Sequence, residues 1–340
     1  MWFSRFMGFR TSIVLFSMLL ISACVKDDIK SPTSNNIKKI ITDKNGLKWI
    51  ATDNGLHSYD GTKWDQFRGF PFGNSYKYED GNISSSNDGE IWFAGNTGSI
   101  MFKFNETAIE SKKVYTKNSS GLLSNSVTAV AADQFDTRYF GTSLGLSINK
   151  GDKWESFVGR KNEEILREYK ITSIATAKNG WIYAATYGGG VSRFKYTDAV
   201  SGATLFDSIW SQLKSNYVNT VIIVDDTIQW YGTNRGACLH ISHYTKEIFD
   251  WQSYTTAEGL PSDTVLSIAK DLDGNIWFGT TAGAARLNGT QITVFTTADG
   301  LVSDKINTIS ADTDGSLWFG TNKGLSQFKD GNWKTARVNE

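Results

Sequence analysis

Histidine and cysteine are scarce in this chain: three histidines (His57, His240, His243) and two cysteines (Cys24, Cys238) in 340 residues. Metal or acid–base catalysis therefore has little to stand on. His240 and His243 lie three apart on a predicted strand and face opposite ways, so both cannot bind one ion without a bulge. There is no Ser-His-acid set, no phosphate loop and no Cys-His pairing with local context. Nor is there an excess of either charge, with 35 basic and 35 acidic residues. A nucleic-acid binder calls for a basic field, and none is present. No motif calls for a cofactor. The apolar run Thr11 to Ile21, about eleven residues, is too short to anchor a chain across a bilayer.

What the chain has in quantity is aromatics and glycine, and they are spaced. The stretch Asp271 to Gly283, DLDGNIWFGTTAG, recurs seven times. Its anchor aromatic Trp277 has counterparts Trp49, Trp92, Tyr139, Tyr183, Trp230 and Trp318, at intervals of 43, 47, 44, 47, 47 and 41 residues. Six positions after each stands a glycine: Gly55, Gly98, Gly145, Gly189, Gly236, Gly283 and Gly324. Two positions after it the residue is always Gly or Ala, and three after it is Thr in six units, Gly95 being the exception. Nine positions before it comes Ile40, Ile83, Val130, Ile174, Val221, Ile268 or Ile309, a β-branched aliphatic that marks core.

Each unit reads as four short strands. In the sixth these are Val265 to Ala269, Asn275 to Thr280, Ala284 to Leu287 and a strand ending near Phe295, with Asn288-Gly289 as a hairpin turn. Trp277 and its neighbour Phe278 point to opposite faces, so both faces are apolar and each needs another sheet against it. Radial repetition supplies that, and the fold expected is all-β, a seven-bladed β-propeller of four-stranded antiparallel blades. The small residue two past the anchor is expected to leave room for the next blade's aromatic. Neither end shows a spare strand, so closure is expected from blade one packing on blade seven, with Trp49 and Trp318 in adjacent blades.

The segments DGNIWFGT (Asp273 to Thr280) and DGSLWFGT (Asp314 to Thr321) are preceded by GLPSDTV (Gly259 to Val265) and GLVSDKI (Gly300 to Ile306). They resemble the two-component-regulator propeller repeat. That family forms extracellular sensor propellers of bacterial hybrid histidine kinases, and related repeats occur in streptogramin lyase-like propellers. The resemblance implies a propeller from Ile37 onward and says little about function, because propellers host many activities. The lyase-like relatives use His and Glu beside a metal, and none of the three histidines sits in a motif that maps to theirs.

The N-terminus carries a second resemblance. Arg5 and Arg10 precede the apolar run, which reads as the h-region of a signal peptide, and Ile21-Ser22-Ala23-Cys24 resembles a bacterial lipobox. This implies cleavage before Cys24 and lipidation of Cys24, hence attachment to the membrane through an N-terminal lipid. Val25-Lys26-Asp27-Asp28 resembles the export signal of surface lipoproteins in Bacteroidetes. The location implied is the outer membrane, displayed on the cell surface, with the periplasmic face as the alternative. The division expected is 1–23 signal peptide, 24–36 lipidated tether and 37–340 propeller. Without its signal the chain keeps 33 basic and 35 acidic residues. With Cys24 lipidated, Cys238 is left as a buried thiol with no disulfide partner.

Candidate binding residues come from departures from the repeat. The turns after the second strands and the connections between blades open on one face, which places Asn54, Asn96, Tyr187, Asn234, Arg235, Asn322 and Lys323 there. Asn serves such turns by tolerating positive φ, whereas Tyr187, Arg235 and Lys323 are not required by turn geometry and are the stronger ligand contacts. Arg68 to Gly81 carries Phe70, Phe72, Tyr76 and Tyr78, suited to stacking on sugar rings or a protein partner. Val158 to Lys170 breaks the strand pattern and suggests a short helix capped by Asn162. Asp271-x-Asp273-Gly274 and Asp312-x-Asp314-Gly315 resemble the opening of a calcium loop, but Ala282 and Lys323 stand where its bidentate Glu belongs, so no metal is expected. The function expected is non-enzymatic binding of a glycan or an envelope protein. The alternatives are a metal-dependent lyase and a scaffold of an outer-membrane complex.

Overall fold

The computed structural model of the chain describes residues 26–29, 34–53, 55–67, 82–86, 89–105, 108–159, 166, 168–196, 200–204, 213–242 and 249–336. Seven antiparallel sheets follow one another, each built on a four-stranded meander in sequence order, and no helix occurs among the described residues. The sixth blade shows the plan with strands Val265–Lys270, Ile276–Thr280, Gly283–Asn288 and Gln291–Phe295. The first strand is innermost, and its counterparts are Ile37–Thr42, Asn82–Ser85, Val127–Ala132, Ile171–Thr176, Val218–Asp225 and Ile306–Ala311.

In blades one, three, six and seven an Asp six residues before the anchor organises the blade locally. Asp271 accepts the Asn275 N–H at 2.8 Å with one carboxylate oxygen and the Trp277 indole N–H at 2.8 Å with the other. One side chain thus closes the first turn and fixes the ring. Asp43 holds Trp49 at 3.0 Å, Asp133 accepts from the Tyr139 hydroxyl at 2.9 Å, and Asp312 from Trp318 at 3.4 Å. In blade two Glu90 does the same for Trp92 at 3.0 Å. Bonds of this charge-assisted kind contribute about 1.5–3 kcal/mol each.

Held this way, the anchor faces the following blade, and the residue after it faces the preceding one. Trp92 meets Phe140 at 5.4 Å, Trp230 meets Phe278 at 5.4 Å and Trp277 meets Phe319 at 5.5 Å, all edge to face. Such pairs contribute about 0.5–1.5 kcal/mol beyond area burial. The small residue two past the anchor accommodates something other than the aromatic expected. A Cβ at Gly279 would lie 2.7 Å from Ile306 Cγ2, and one at Gly141 2.5 Å from Ile171 Cγ2. The β-branched residue that opens the next inner strand fills that space. The recurring Thr caps the second turn: Thr280 donates to Gly283 O at 2.8 Å, and Thr321 to Gly324 O at 2.8 Å. Gly283 has φ 137°, and a Cβ there would meet Phe295 O at 2.8 Å, so the position requires glycine. In blade four the turn is one residue longer, and Thr186 pairs with Gly190 rather than with Gly189.

The inner strands share a bulge at their second residue in six blades. It turns that side chain sideways, where it stitches one blade to the next. Thr172 donates to Val218 O at 2.6 Å, Asn219 to Val265 O at 2.9 Å and Asn307 to Ile37 O at 2.8 Å. The last of these closes the ring from blade seven to blade one. Thr42 and Ser310 hydroxyls meet at 3.2 Å, Lys48 pairs with Asp312 at 2.5 Å, and Trp318 packs with Ile37, Ile40 and Ile50. The expected contact of first and last blades is present. One strand was not foreseen: Lys26–Ile29, within the stretch whose composition reads as tether, runs antiparallel along Trp64–Phe67 and gives blade one five strands.

Candidate functional site

The turns after the second strands and the connections between blades do share a face, and the two sets are tied together. Ser303 donates to Asn322 at 2.8 Å, Ser262 and Thr281 hydroxyls meet at 2.8 Å, Ser124 and Ser143 at 3.3 Å, and Ser34 bonds to Asp53. Each serine sits at the same point of the connection entering its blade. The turns themselves are held by the recurring Thr, which accepts the Arg235 N–H at 3.0 Å in blade five and the Lys323 N–H at 3.0 Å in blade seven.

This rigid backbone presents Arg235 and Lys323 with exposed side chains, on different blades. Asn96 is exposed in the blade-two turn. Asn234 and Asn322 have structural employment, accepting from Asn219 at 2.9 Å and from Ser303 at 2.8 Å. Asn54, the aromatic set Phe70, Phe72, Tyr76 and Tyr78, and Cys24 lie outside the described residues. So does Asn162 with most of the suggested helix, though Leu166 is fully buried against Leu146, Ile148 and Ile171 and pins that connection to the core.

Tyr187 gathers the most around it. It is 50% exposed and meets Tyr217, itself 45% exposed, edge to face at 4.8 Å. The backbone sets this pair: Tyr187 bridges Tyr217, Tyr187 N–H donates to Lys170 O at 2.9 Å, and Gly188 and Gly190 N–H groups both donate to Asn216 O, at 3.1 and 2.9 Å. Tyr217 O in turn accepts the Asn234 N–H at 3.2 Å, which joins the pair to the turn bearing Arg235. Lys170 Nζ lies 6.0 Å from the Tyr187 ring, and the neighbouring Tyr169 is also exposed. Tyr217, Tyr169 and Lys170 escape a reading that follows only the repeat, since they stand in connections where the repeat has no template. Their signal is composition: a tyrosine near the close of each of the two connections flanking blade four.

A second concavity lies on the propeller axis. Its volume is about 410 Å³, and the inner strands of all seven blades line it, from Lys39, Asn82 and Ala129 down to Thr42, Ser85 and Lys270. The lining takes in all of Asn82–Ser85, the middle of the inner strands of blades three, four and five, and the end of those of blades one, six and seven. None of Tyr187, Arg235 or Lys323 lines it.

Several buried titratable groups are structural. His57 and His240 are buried in the third strands of blades one and five. His240 stacks on Trp251 at 4.4 Å, and burial, with the Arg193 charge nearby, lowers its pKa to about 4. Arg193 lies over Trp181 at 4.0 Å, and burial lowers its pKa. Burial also raises the Cys238 thiol and the Tyr231 phenol. His240 is thus a core residue, and His243 lies outside the described residues. Asp271 has both oxygens engaged, by its own turn and by Trp277.

The two-component regulator propeller family model matches residues 259–282 and 300–323. None of the curated proteins matches the chain. Among solved structures, the extracellular domain of a hybrid two-component system from B. thetaiotaomicron superposes with a TM-score of 0.65 at 21% identity, over 89% of this chain and 39% of that one. PorZ, described as an essential surface component of the type-IX secretion system of Porphyromonas gingivalis, gives a TM-score of 0.65 at 16% identity, over 87% of this chain and 47% of that one. The WD40 propeller domain of Doa1 gives 0.62 at 12% identity, over 90% of this chain and 95% of that one. The chain spans about two fifths of the first of these relatives, and at such identities the likeness is one of fold. The protein is a seven-bladed β-propeller whose sixth and seventh blades carry two-component regulator propeller repeats.

Proposed function

We propose that this chain is a non-catalytic binding propeller of the bacterial envelope, attached through a lipid on Cys24, that captures a glycan on the face bearing Tyr187. The observation that carries the reading is the exposed Tyr187–Tyr217 pair, held by backbone bonds on both sides and flanked by Lys170 and Arg235. Phenol rings offer an apolar face and a hydroxyl at low entropic cost, which suits the alternating apolar and polar surfaces of a sugar. The cations at its margin suit an acidic or phosphorylated sugar. The envelope setting is supported by the lipobox-like segment and by the fold shared with an extracellular sensor domain and a surface secretion component. The buried positions of His57 and His240, in different blades, weigh against a lyase centre built on them.

Screening the purified protein against an array of bacterial and host glycans tests this reading. Binding of a related set of glycans, lost on Tyr187→Ala, is expected. No glycan binding, together with a stoichiometric envelope protein recovered from detergent extracts, would replace it with the scaffold reading.

A further inference from the structure

The axial cavity carries a feature that neither the repeat nor the tyrosine face explains. At one inner-strand position, blades four, six and seven carry hydroxyls that accept an N–H from the next blade: Ser173 from Val221 at 3.3 Å, Ser267 from Ile309 at 3.0 Å and Thr308 from Ile40 at 3.3 Å. Blade one has Lys39 there, and Lys39 lines the cavity. An ammonium cannot accept the N–H, so the stitch made elsewhere gives no reason for a lysine.

The charge of that ammonium is also left without a counterpart. No carboxylate lines the cavity, and Lys39 has no ion pair among the described residues. Lys39 is half-buried, and its burial lowers its pKa. A second cation, Lys270, stands at the end of the lining. Asp225 lies close enough to feel Lys270, but its carboxylate accepts from the Thr227 and Ile228 N–H groups at 2.8 and 2.9 Å. The lining also carries the hydroxyl residues Ser84 and Ser85, and Thr42 and Ser310, whose hydroxyls meet each other and leave one of the two protons to donate elsewhere.

We propose that the axial channel is a binding site for a small anion, a polycarboxylate or an oxyanion, whose charge is met by Lys39 and whose remaining oxygens take hydroxyl donors from the inner strands. A cavity of about 410 Å³ exceeds what a lone phosphate fills and lies within the ordinary range for small-molecule sites. A bound anion supplies the counter-charge that Lys39 lacks. Neither Tyr187 nor Tyr217 lines this cavity.

The test is isothermal titration of the full purified chain in detergent, at low ionic strength, with citrate and with inorganic phosphate. Citrate binding is expected, weakened at least tenfold by Lys39→Met and unchanged by Lys153→Met, which removes an exposed cation of equal charge outside the cavity lining. Without anion, Lys39→Met is expected to melt at or above the wild-type temperature, because it removes an uncompensated charge. Should that variant fold poorly, Lys39→Gln keeps a polar tip and must lose the same affinity. Stronger binding of phosphate than of citrate would assign the oxyanion source over the carboxylate within the same site. Equal affinity in wild type and both Lys39 variants, or no binding of either anion, would overturn the proposal.

Discussion

Gly320→Ala is a one-methyl probe of how the ring closes. A Cβ at Gly320 would stand 2.5 Å from Ile37 Cγ2 and 3.0 Å from Ile37 Cβ, across the junction of blades seven and one, and 2.6 Å from Thr308 Cγ2 within its own blade. The backbone there is not in the left-handed region, so the cost is steric. Overpacking of this kind costs about 1–3 kcal/mol, offset by about 0.5–1 kcal/mol from the smaller entropy of the unfolded chain. Ile37 is fully buried, and Ile37→Ala should cost about 2–5 kcal/mol. In the double variant the Cγ2 clash is gone while the Ile37 Cβ contact and Thr308 remain. The pair should therefore be about 1 kcal/mol less destabilised than the sum of the singles. Chemical denaturation of all four proteins, followed by tryptophan fluorescence, measures this. A Gly320→Ala protein as stable as wild type, or costs that add within 0.5 kcal/mol, would refute the closure geometry.

Asp271→Ala should cost about 2–4 kcal/mol, since it removes the cap of the turn and leaves the indole N–H of the fully buried Trp277 without its acceptor; thermal melts check it, and a change below 0.5 kcal/mol would contradict it. His240 binds its proton less readily when folded, with a pKa of about 4 against about 6.5 unfolded, so its contribution is intact above pH 6.5 and is lost as pH falls toward 4. Wild type should lose about 3 kcal/mol more over that window than His240→Gln does, and equal slopes would show that the imidazole is not held neutral. Cys24→Ser should abolish incorporation of a clickable fatty acid, and equal labelling in both proteins would remove the lipid anchor.

The ring was legible in the sequence because its rules are local and repeat: an aromatic on one face, a branched residue nine before it, a glycine that a close carbonyl demands. Repetition made each of these visible seven times over. What stayed hidden depends on contacts between blades. The space beside Gly279 belongs to Ile306 rather than to an aromatic, and only the blade-to-blade packing decides that. Blade four's extra turn residue moved the required glycine to Gly190, which a fixed offset cannot follow. The pairing of Lys26–Ile29 with blade one has no hydrophobic signature in KDDI. For the site, Tyr187 and Arg235 stood out as turn residues the turn did not need. Tyr217 and Lys39 become visible only once neighbouring connections and opposite inner strands are brought together.

Binding through the tyrosine face is tested most directly by titrating the best array glycan into wild type, Tyr217→Ala and Arg235→Ala. Each substitution should weaken affinity about tenfold or more, equivalent to about 1.4 kcal/mol, with the melting temperature little changed because neither side chain lies in the core. Unchanged affinity in both variants, or an affinity that falls only with Lys39→Met, would contradict it.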